Sequence, residues 1–470
     1  MPWFSKPEVP SNQQDPASRQ AVSARERGFI YCQGTILYEY DKPFRFISWN
    51  VPNIQALEDG RPDQWERAPS PWEQEDALAS VHQMQGRVIR TYTLSVGKNR
   101  HIESPTKLNE ALFIGLDHAI AIASRYNIRV IIPIIDNWEW HGGVKDFAAF
   151  RGKRELEFWT DSLVRNDFKQ VIQQVILRRN TVTGVVYRDD PTILGFETGN
   201  ELGGWDYSTP SDWTIDICKF IRSIDQNHII IDGSLGTKNQ HWPKEVLQSP
   251  YVDAIDNHYY SPQGTNDYAN QAKNDLKLAK KYNKAFFCGE FGLASPKVME
   301  AMLDTVVKNQ EIAGALIWSL RFHAEQGGFY THKEYEGYLA YHYPGFPPAE
   351  GFHPDEQRVI KMMRTYSAKL YGRDIPIIPA PPPPYLYPSR DARLTWRGSV
   401  GASHYQVWRT YDGGRHPWQM IADGIVDNVN AGNHIYKDTD VSRGVVYVYS
   451  VVAVSEGGRS EYSNRVMVES

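Results

Sequence analysis

The sequence is poor in cysteine and contains no long apolar run. Its 470 residues include only Cys32, Cys218 and Cys288, with no CxxC pair and no Cys/His spacing of a structural zinc site. A disulfide scaffold is therefore excluded. No stretch approaches the ~18 apolar residues of a membrane span, so we expect no membrane association. EF-hand, HExxH and Walker motifs are missing too, and we predict no metal and no other cofactor.

Charge of one sign is not in excess either. The chain has 51 Lys and Arg residues and 56 Asp and Glu residues, which gives a net charge of -5. It therefore has no excess of basic residues to neutralise a phosphate backbone. Nucleic acid is not an expected partner, and no obligate protein partner is indicated. Residues 1–27 are polar without a signal-peptide core, and no N-glycosylation sequon occurs. These features favour an intracellular protein, the alternative being a secreted protein that has lost its signal peptide.

Aromatic residues, by contrast, make up 13% of the chain, and apolar runs alternate with helical patterns over residues 28–372. Such alternation is typical of a parallel sheet wrapped by helices. The predicted strands are eight, the number that closes a (β/α)8 TIM barrel, and they cover 44–50, 87–92, 129–135, 192–197, 228–232, 254–258, 285–290 and 313–319. A hairpin over 28–40 is expected to cover the N-terminal end of this barrel.

Helix starts between these strands carry recognisable signals. Ser70-Pro71-Trp72-Glu73 is a capping box with proline at the first helical position. Thr209-Pro210 and Ser295-Pro296 predict the same relation of cap and proline at two later helices.

A proline-rich segment, 373–384, follows the barrel and predicts a stiff linker. Beyond it, residues 385–470 alternate in the manner of a small all-β sandwich. This segment resembles a fibronectin type III domain, with Trp396 in its core and Tyr447 and Tyr449 near the tyrosine corner. We expect a spacer or a packed stabilising domain in preference to a carbohydrate-binding module.

Two carboxylates are expected at the C-terminal ends of barrel strands, where the active sites of this fold lie. Glu201 follows Asn200 after the fourth strand, and Glu290 ends the seventh. Two opposed carboxyl groups about 5–5.5 Å apart are what retaining glycoside hydrolysis requires. Arg90 and Tyr260 are suitable donors to keep Glu290 ionised, and Asn200 is placed to bind the 2-hydroxyl of a sugar.

These motifs together resemble glycoside hydrolase family 5. The resemblance rests on Asn200-Glu201, Gly289-Glu290-Phe291-Gly292, Arg90, His258-Tyr259-Tyr260 and Trp318. The stretches 133–138, 158–161 and 179–193 are similar to the β-mannanase and β-mannosidase branch of fungal type.

By this resemblance, Glu201 is the acid/base and Glu290 the nucleophile. It also implies a shell around the reacting sugar made of Arg90, Asn200, His258, Tyr260 and Trp318. One departure is that Leu202 follows Glu201, where the mannanase pattern usually has proline.

Further side chains are expected near strand-end loops, either against the sugar or as anchors of the loops. The candidates for substrate binding are Asn137, Trp138, Trp205 and His323. Trp140 and Trp242 also lie near predicted strand-end loops, where each could stack on a sugar or anchor its loop. His141 is either a polar group of the pocket or a surface residue.

Two long loops, 139–159 and 321–348, could close one end of a sugar cleft. We therefore expect an exo-acting β-mannosidase that releases mannose from β-1,4-manno-oligosaccharides derived from β-mannan. The alternatives are an endo-β-1,4-mannanase, a β-glucan hydrolase and, from another class, a non-catalytic carbohydrate-binding protein.

Overall fold

Eight short parallel strands pair side by side and close into a barrel. The computed structural model describes residues 26–58, 67–204, 208–235, 242–260 and 267–469. The barrel strands are β1 Phe46–Asn50, β2 Val88–Arg90, β3 Arg129–Pro133, β4 Ile193–Glu197, β5 Ile229–Asp232, β6 Ala254–Tyr259, β7 Ala285–Phe291 and β8 Ile312–Ile317. Every residue of these strands is buried, as expected for strands covered on both faces. All eight predicted strands are confirmed, with ends that move by at most two residues.

Helices surround this barrel. Those of the described residues are α1 Pro71–Gln83, α2 Glu110–Arg125, α3 Val144–Ala149, α4 Glu157–Thr160, α5 Ser162–Ile176, α6 Ser211–Ile224, α7 Lys244–Gln248, α8 Tyr268–Lys281, α9 Pro296–Lys308 and α10 Glu356–Tyr371. None of them is long and apolar enough to cross a membrane.

Sequence signals placed the helix starts with mixed success. The capping box at Ser70 is confirmed, because the Glu73 N–H donates to Ser70 Oγ at 3.3 Å and the Ser70 N–H donates to Glu73 Oε2 at 2.7 Å. The prediction at Thr209 is wrong, because α6 begins one residue later with Pro210 at the N-cap. Ser295 does occupy the N-cap of α9, yet its side chain makes no capping hydrogen bond.

The predicted hairpin is present at the N-terminal end of the barrel. Its strands Ile30–Gln33 and Ile36–Glu39 pair in antiparallel fashion, and Lys42–Pro43 adds a short third strand. Ile30 and Leu37 belong to a buried cluster with side chains from inside the barrel, Phe46 and Phe287 among them. The hairpin therefore closes the end of the barrel opposite the strand ends that carry the candidate carboxylates.

Additional β-strands follow at the C-terminus, in what is called here the C-terminal β-region, residues 385–469. One sheet contains Gln419–Ile425, His404–Tyr411, Val446–Ser455, Gly458–Arg459 and Val466–Glu469. Two short pairs, Tyr385–Leu386 with Trp396–Arg397 and Arg393–Leu394 with Tyr436–Lys437, pack on the same core. Trp396 and Tyr449 are fully buried in that core, as predicted. The fibronectin type III topology itself stays a prediction.

Residues of the proline-rich segment pack against both parts of the chain. Ile378 is only 6% exposed and joins the main cluster of the barrel core. Its carbonyl accepts the Gly457 N–H at 2.8 Å, and Arg364 of α10 donates to the Pro376 carbonyl at 2.5 Å. The segment is thus fixed to α10 on one side and to the C-terminal β-region on the other.

Candidate active site

A pocket of about 480 Å³ opens at the C-terminal ends of the barrel strands. Parallel strands present the residues that follow them at one rim, so side chains far apart in sequence meet there. The lining residues are Tyr92, Trp138, Asn200, Glu201, Tyr260, Glu290, Leu293, Trp318, Glu334 and Tyr335. Six of the predicted site residues, Trp138, Asn200, Glu201, Tyr260, Glu290 and Trp318, are therefore brought together.

Glu290 is held by donors on both of its carboxylate oxygens. Arg90 Nη1 donates to Oε1 at 2.7 Å, the Tyr260 hydroxyl donates to Oε2, and His258 Nδ1 lies 3.4 Å from Oε2. Burial raises the pKa of Glu290, and the charges of His258 and Arg90 oppose that rise without cancelling it. The carboxylate is fixed in orientation and faces the pocket.

Glu201 lies opposite, on the loop after β4, with a left-handed backbone φ of 49°. Its Oε2 accepts the indole N–H of Trp138 at 2.6 Å, and its Oε1 lies 2.8 Å from His258 Nδ1. Burial alone would raise the pKa of Glu201. The hydrogen bond and charge of His258, with the Trp138 donor, outweigh burial and lower it.

His258 stands between the two carboxylates. Its Nε2 also lies 3.4 Å from Asp256 Oδ2. Burial would lower the pKa of the imidazole, but Glu290, Asp256 and Glu201 together raise it to about 10. The ring is therefore a charged imidazolium at neutral pH, with N–H groups on both nitrogens, and its Nδ1–H faces Glu201.

The spacing of the two glutamates is short. One carboxylate oxygen of Glu201, one of Glu290 and one ring nitrogen of His258 all lie within 4.8 Å of one another. Carboxyl groups about 5–5.5 Å apart are characteristic of retaining glycosidases, whereas inverting enzymes separate them by about 6.5–9.5 Å. Such spacing could also suit a cation, but Arg90, Trp138 and Tyr260 already donate to these oxygens.

Arg90 organises the base of the pocket. It is fully buried on β2 and binds Glu197 in a bidentate pair, with nitrogen to oxygen distances of 2.7 and 2.8 Å. Its Nη2 also donates to Asn200 Oδ1 at 2.8 Å, and Asn200 Nδ2 donates in turn to Asp136 Oδ1 at 3.0 Å. This network fixes Asn200 beside Glu201.

The loop after β8, one of the two loops expected to close the cleft, supplies one wall through residues that the sequence analysis did not single out. Trp318 Nε1 donates to Glu334 Oε1 at 2.5 Å, and His332 Nε2 lies 3.4 Å from the same oxygen. Tyr335 also lines the pocket and is 67% exposed. Tyr92, two residues past Arg90, could have been found from its position near a strand end. Leu293, Glu334 and Tyr335 had no such signal, because loop spacing does not fix which side chains turn inward.

The prediction that His323 binds substrate is wrong. Its ring is 1% exposed, with Nδ1 3.0 Å from Asp76 of α1 and Nε2 3.2 Å from Asp427 of the C-terminal β-region. The loop turns this residue away from the pocket because two buried carboxylates engage both ring nitrogens.

Three other candidates have different places. Asn137 does not line the pocket, and its Oδ1 accepts the Gly203 N–H at 3.0 Å, which holds the loop that carries Glu201. Trp242 is 5% exposed and belongs to the barrel core, whereas His141 is buried beside Glu58 at 3.3 Å. Trp205 lies outside the described residues.

Comparison with known proteins bears on this arrangement. Residues 92–301 match the family model described as GH family 5 beta-mannosidase-like. This match supports glycoside hydrolase family 5. The chain is also 35% identical to mannan endo-1,4-beta-mannosidase 1 of Arabidopsis thaliana over 151 residues, which are 31% of this chain and 37% of that relative. It thus spans about two fifths of the length of that curated relative.

A longer match reaches mannan endo-1,4-beta-mannosidase 5 of Solanum lycopersicum, at 26% identity over 63% of this chain and 82% of the relative. Among solved structures, the fold is similar to the glycoside hydrolase family 5 mannosidase from Rhizomucor miehei, with a TM-score of 0.61, 19% identity, and coverage of 74% of this chain and 98% of that one. The endo-beta-1,4-mannanase from Thermotoga petrophila gives 0.57 at 19% identity and covers 91% of this chain and 98% of that one. At these identities the structures establish the (β/α)8 fold shared with family 5.

Proposed function

We propose that this chain is a retaining β-mannosidase of glycoside hydrolase family 5 that removes the terminal mannose from β-1,4-manno-oligosaccharides. The observation that carries the proposal is the pair Glu201 and Glu290, whose nearest oxygens lie within 4.8 Å at the mouth of the barrel. Both carboxylates face one pocket, and each has its own set of donors.

In the first step, a Glu290 oxygen attacks the anomeric carbon and Glu201 donates a proton to the departing glycosidic oxygen. The C–O bond to the leaving sugar breaks, and its electron pair takes that proton. A covalent mannosyl ester on Glu290 remains. Arg90 and Tyr260 support this step because their hydrogen bonds orient the nucleophile and stabilise its charge.

In the second step, Glu201 acts as a base. It takes a proton from a water molecule, the water oxygen bonds to the anomeric carbon, and the ester bond to Glu290 breaks to release mannose with its original configuration. Formation of the ester removes the negative charge of Glu290, so the Glu201 carboxylate no longer faces a like charge during this step.

Glu201 needs a proton for the first step although its pKa is lowered in the free protein. His258 supplies it in this proposal, since its Nδ1 lies 2.8 Å from Glu201 Oε1, once a bound sugar has excluded water from the pocket and raised the pKa of Glu201. Transfer across that hydrogen bond leaves a neutral imidazole and a neutral carboxylic acid. The leaving oxygen then takes the proton from Glu201.

Exo action is supported by contact between the two long loops. Trp140, after β3, meets His332, after β8, in an edge-to-face arrangement with ring centroids 6.0 Å apart. Trp140 Nε1 also donates to Glu58 Oε2 at 2.8 Å. A bridge between loops on two sides of the pocket suits a cleft that ends at a terminal sugar.

An endo-β-1,4-mannanase is the second candidate, because the curated relatives named above are mannan endo-1,4-beta-mannosidases. The products of mannohexaose separate the two. Early release of mannose with mannopentaose supports exo action, whereas an early mixture of mannobiose and mannotriose without mannose rejects it.

Glu201→Ala and Glu290→Ala test catalysis itself, with Glu245→Gln, at an exposed position of α7, as the control. Hydrolysis of an aryl β-mannoside should fall by orders of magnitude in both variants and stay unchanged in the control. Proton NMR of the first product should show the β-anomer. A wild-type protein that binds manno-oligosaccharides without cleaving them would instead be a carbohydrate-binding protein.

A further inference from the structure

The loop after β8, called here the strand-8 loop, residues 322–348, has two contact surfaces. Its segment with Glu334 and Tyr335 lines the pocket. Its earlier segment, around Phe329, packs on the C-terminal β-region and not on the pocket. One continuous loop therefore connects the distant β-region to the wall of the sugar site.

A buried charged group makes the first connection. His323 lies between Asp76 of α1 and Asp427 of the C-terminal β-region, and the exposed fractions of these three residues are 1, 5 and 0%. The two carboxylates raise the pKa of His323 to about 10 against the effect of burial. Charged groups removed from water in this way are costly to separate, because each would lose its partner without regaining solvent.

Backbone pairing makes the second connection. The Phe329 N–H donates to the Val429 carbonyl and the Ala431 N–H donates to the Phe329 carbonyl, both at 2.9 Å. The Gly432 N–H donates to the Gly327 carbonyl at 2.9 Å as well. Segment 429–432 therefore runs along the strand-8 loop like an added strand.

These anchors end close to the pocket. Thr331 Oγ1 donates to Asn430 Oδ1 at 3.0 Å, and the next residue, His332, contacts Trp140 and Glu334. Glu334 is the third residue after Thr331, so the chain between their Cα atoms spans at most about 11 Å. The anchored segment therefore leaves Glu334 little freedom to move away from it.

We propose that the C-terminal β-region fixes the strand-8 loop and so sets how the pocket holds the end of a manno-oligosaccharide, with His323, Asp427 and Thr331 as positioning residues. This inference rests on the proposed function. It makes the β-region part of the substrate-binding apparatus, although its own residues do not line the pocket among those described.

Asp427→Asn and Thr331→Val in the full-length chain test this proposal. The first removes one charge from the buried group at nearly unchanged volume, and the second removes one hydrogen bond to Asn430. Asp438→Asn is the matched control, because Asp438 is a buried carboxylate of the same β-region whose partners, Arg409 at 2.7 Å and Tyr449 at 2.8 Å, also belong to it.

Hydrogen–deuterium exchange gives a readout without substrate. Residues 327–340 should exchange faster in Asp427→Asn and Thr331→Val than in the wild type, and at the wild-type rate in Asp438→Asn. Unchanged exchange of this loop in both test variants would overturn the proposal.

Kinetics gives the second readout. We expect KM for mannotriose to rise about ten-fold in Asp427→Asn and less in Thr331→Val, while kcat changes by less than about three-fold. The early products of mannohexaose should gain mannobiose, because a displaced loop no longer ends the cleft at one sugar. Loss of stability alone would reduce the amount of active protein without changing KM or the products.

The outcomes separate this proposal from the proposed function. A wild-type chain that cleaves no β-mannoside rejects the function, while the exchange experiment still tests the anchoring of the loop. A wild-type β-mannosidase whose KM and products are the same in both test variants rejects the positioning role alone.

Discussion

Arg90 Nη1 lies 2.7 Å from Glu290 Oε1, and the exposed fractions of the two residues are 0 and 4%. The same guanidinium holds Glu197 through two further hydrogen bonds. A planar group with five fixed N–H donors can bind one carboxylate in a bidentate pair and donate to a second at the same time, whereas a lysine ammonium has three rotatable donors on one nitrogen. The orientation of the proposed nucleophile thus depends on the geometry of Arg90 as well as on its charge.

Arg90→Lys should therefore disable the site although it keeps the charge. One lysine nitrogen cannot reproduce the bidentate pair with Glu197 together with the bond to Glu290, so a buried carboxylate should lose hydrogen bonds. We expect kcat/KM on an aryl β-mannoside to fall by about 10² or more, and the free energy of unfolding to fall by roughly 3–5 kcal/mol. Arg87→Lys, at a pair with Glu39 outside the pocket, is the control. Near wild-type activity in Arg90→Lys would contradict this account.

His258→Asn should move the alkaline limb of the kcat/KM profile to lower pH. The pKa of His258 is about 10, so the wild-type pair of His258 and Glu201 keeps its shared proton until the pH approaches that value. Asparagine cannot hold this proton, so Glu201 should lose its proton source at lower pH. The profile is measured on an aryl β-mannoside, and an unchanged alkaline limb would rule out His258 as the proton source.

The same pKa shift has a stability consequence. A histidine whose pKa is raised by folding from about 6.5 stabilises the fold fully below that value, and loses this contribution as the pH rises toward 10. The free energy of unfolding, measured with a denaturant, should therefore fall more between pH 6 and pH 10 in the wild type than in His258→Asn. His118→Asn on α2 serves as the control for both measurements.

Gly289→Ala should displace the groups behind the catalytic pair. A Cβ atom at this position would lie 2.0 Å from Asp256 Oδ2 and 3.0 Å from His258 Nε2, too close for any side chain to remain in place. We expect a fall in kcat of about 100-fold and a lower Tm. Gly184→Asn is the comparison, because no atom lies within 4 Å of its Cβ position and asparagine tolerates its left-handed backbone. Equal effects in the two variants would argue against the steric explanation.

Leu202→Pro should harm the protein even though proline is usual after the glutamate in the mannanase pattern. The Leu202 N–H donates to the Gly233 carbonyl at 2.9 Å, and proline lacks that donor, a loss of about 1–3 kcal/mol. Proline also restricts the residue before it to extended backbone, whereas Glu201 has a φ of 49°. Activity and Tm should both fall. Leu202→Ile keeps the N–H and should retain both, so equal losses in the two variants would point to packing.

The barrel and the meeting of its two candidate carboxylates could be predicted because local patterns determine them. Apolar strands at regular spacing specify a closed sheet, and the fold itself brings the ends of β4 and β7 to one rim. Arg90 and Tyr260 were predicted as donors to Glu290 from their places at strand ends, and both hydrogen bonds are present.

Loop residues could not be predicted in the same way. His323 and Glu334 belong to one loop, yet the first turns toward Asp427 and the second toward Trp318. The two carboxylates that hold His323 lie far away in the sequence, Asp76 247 residues before it and Asp427 104 residues after it. No local pattern specifies such a long-range partner. The sequence therefore could not show which side chains of this loop point into the pocket and which point away from it.

The packing of Ile378 limits where genetic recombination could join or separate the barrel and the C-terminal β-region. A recombination breakpoint in the proline-rich segment would uncover a residue of the barrel core and break its hydrogen bond with Gly457. Exchange of the C-terminal β-region for an unrelated module would carry the same penalty. We therefore expect natural rearrangements to transfer the two parts together, as a single heritable unit.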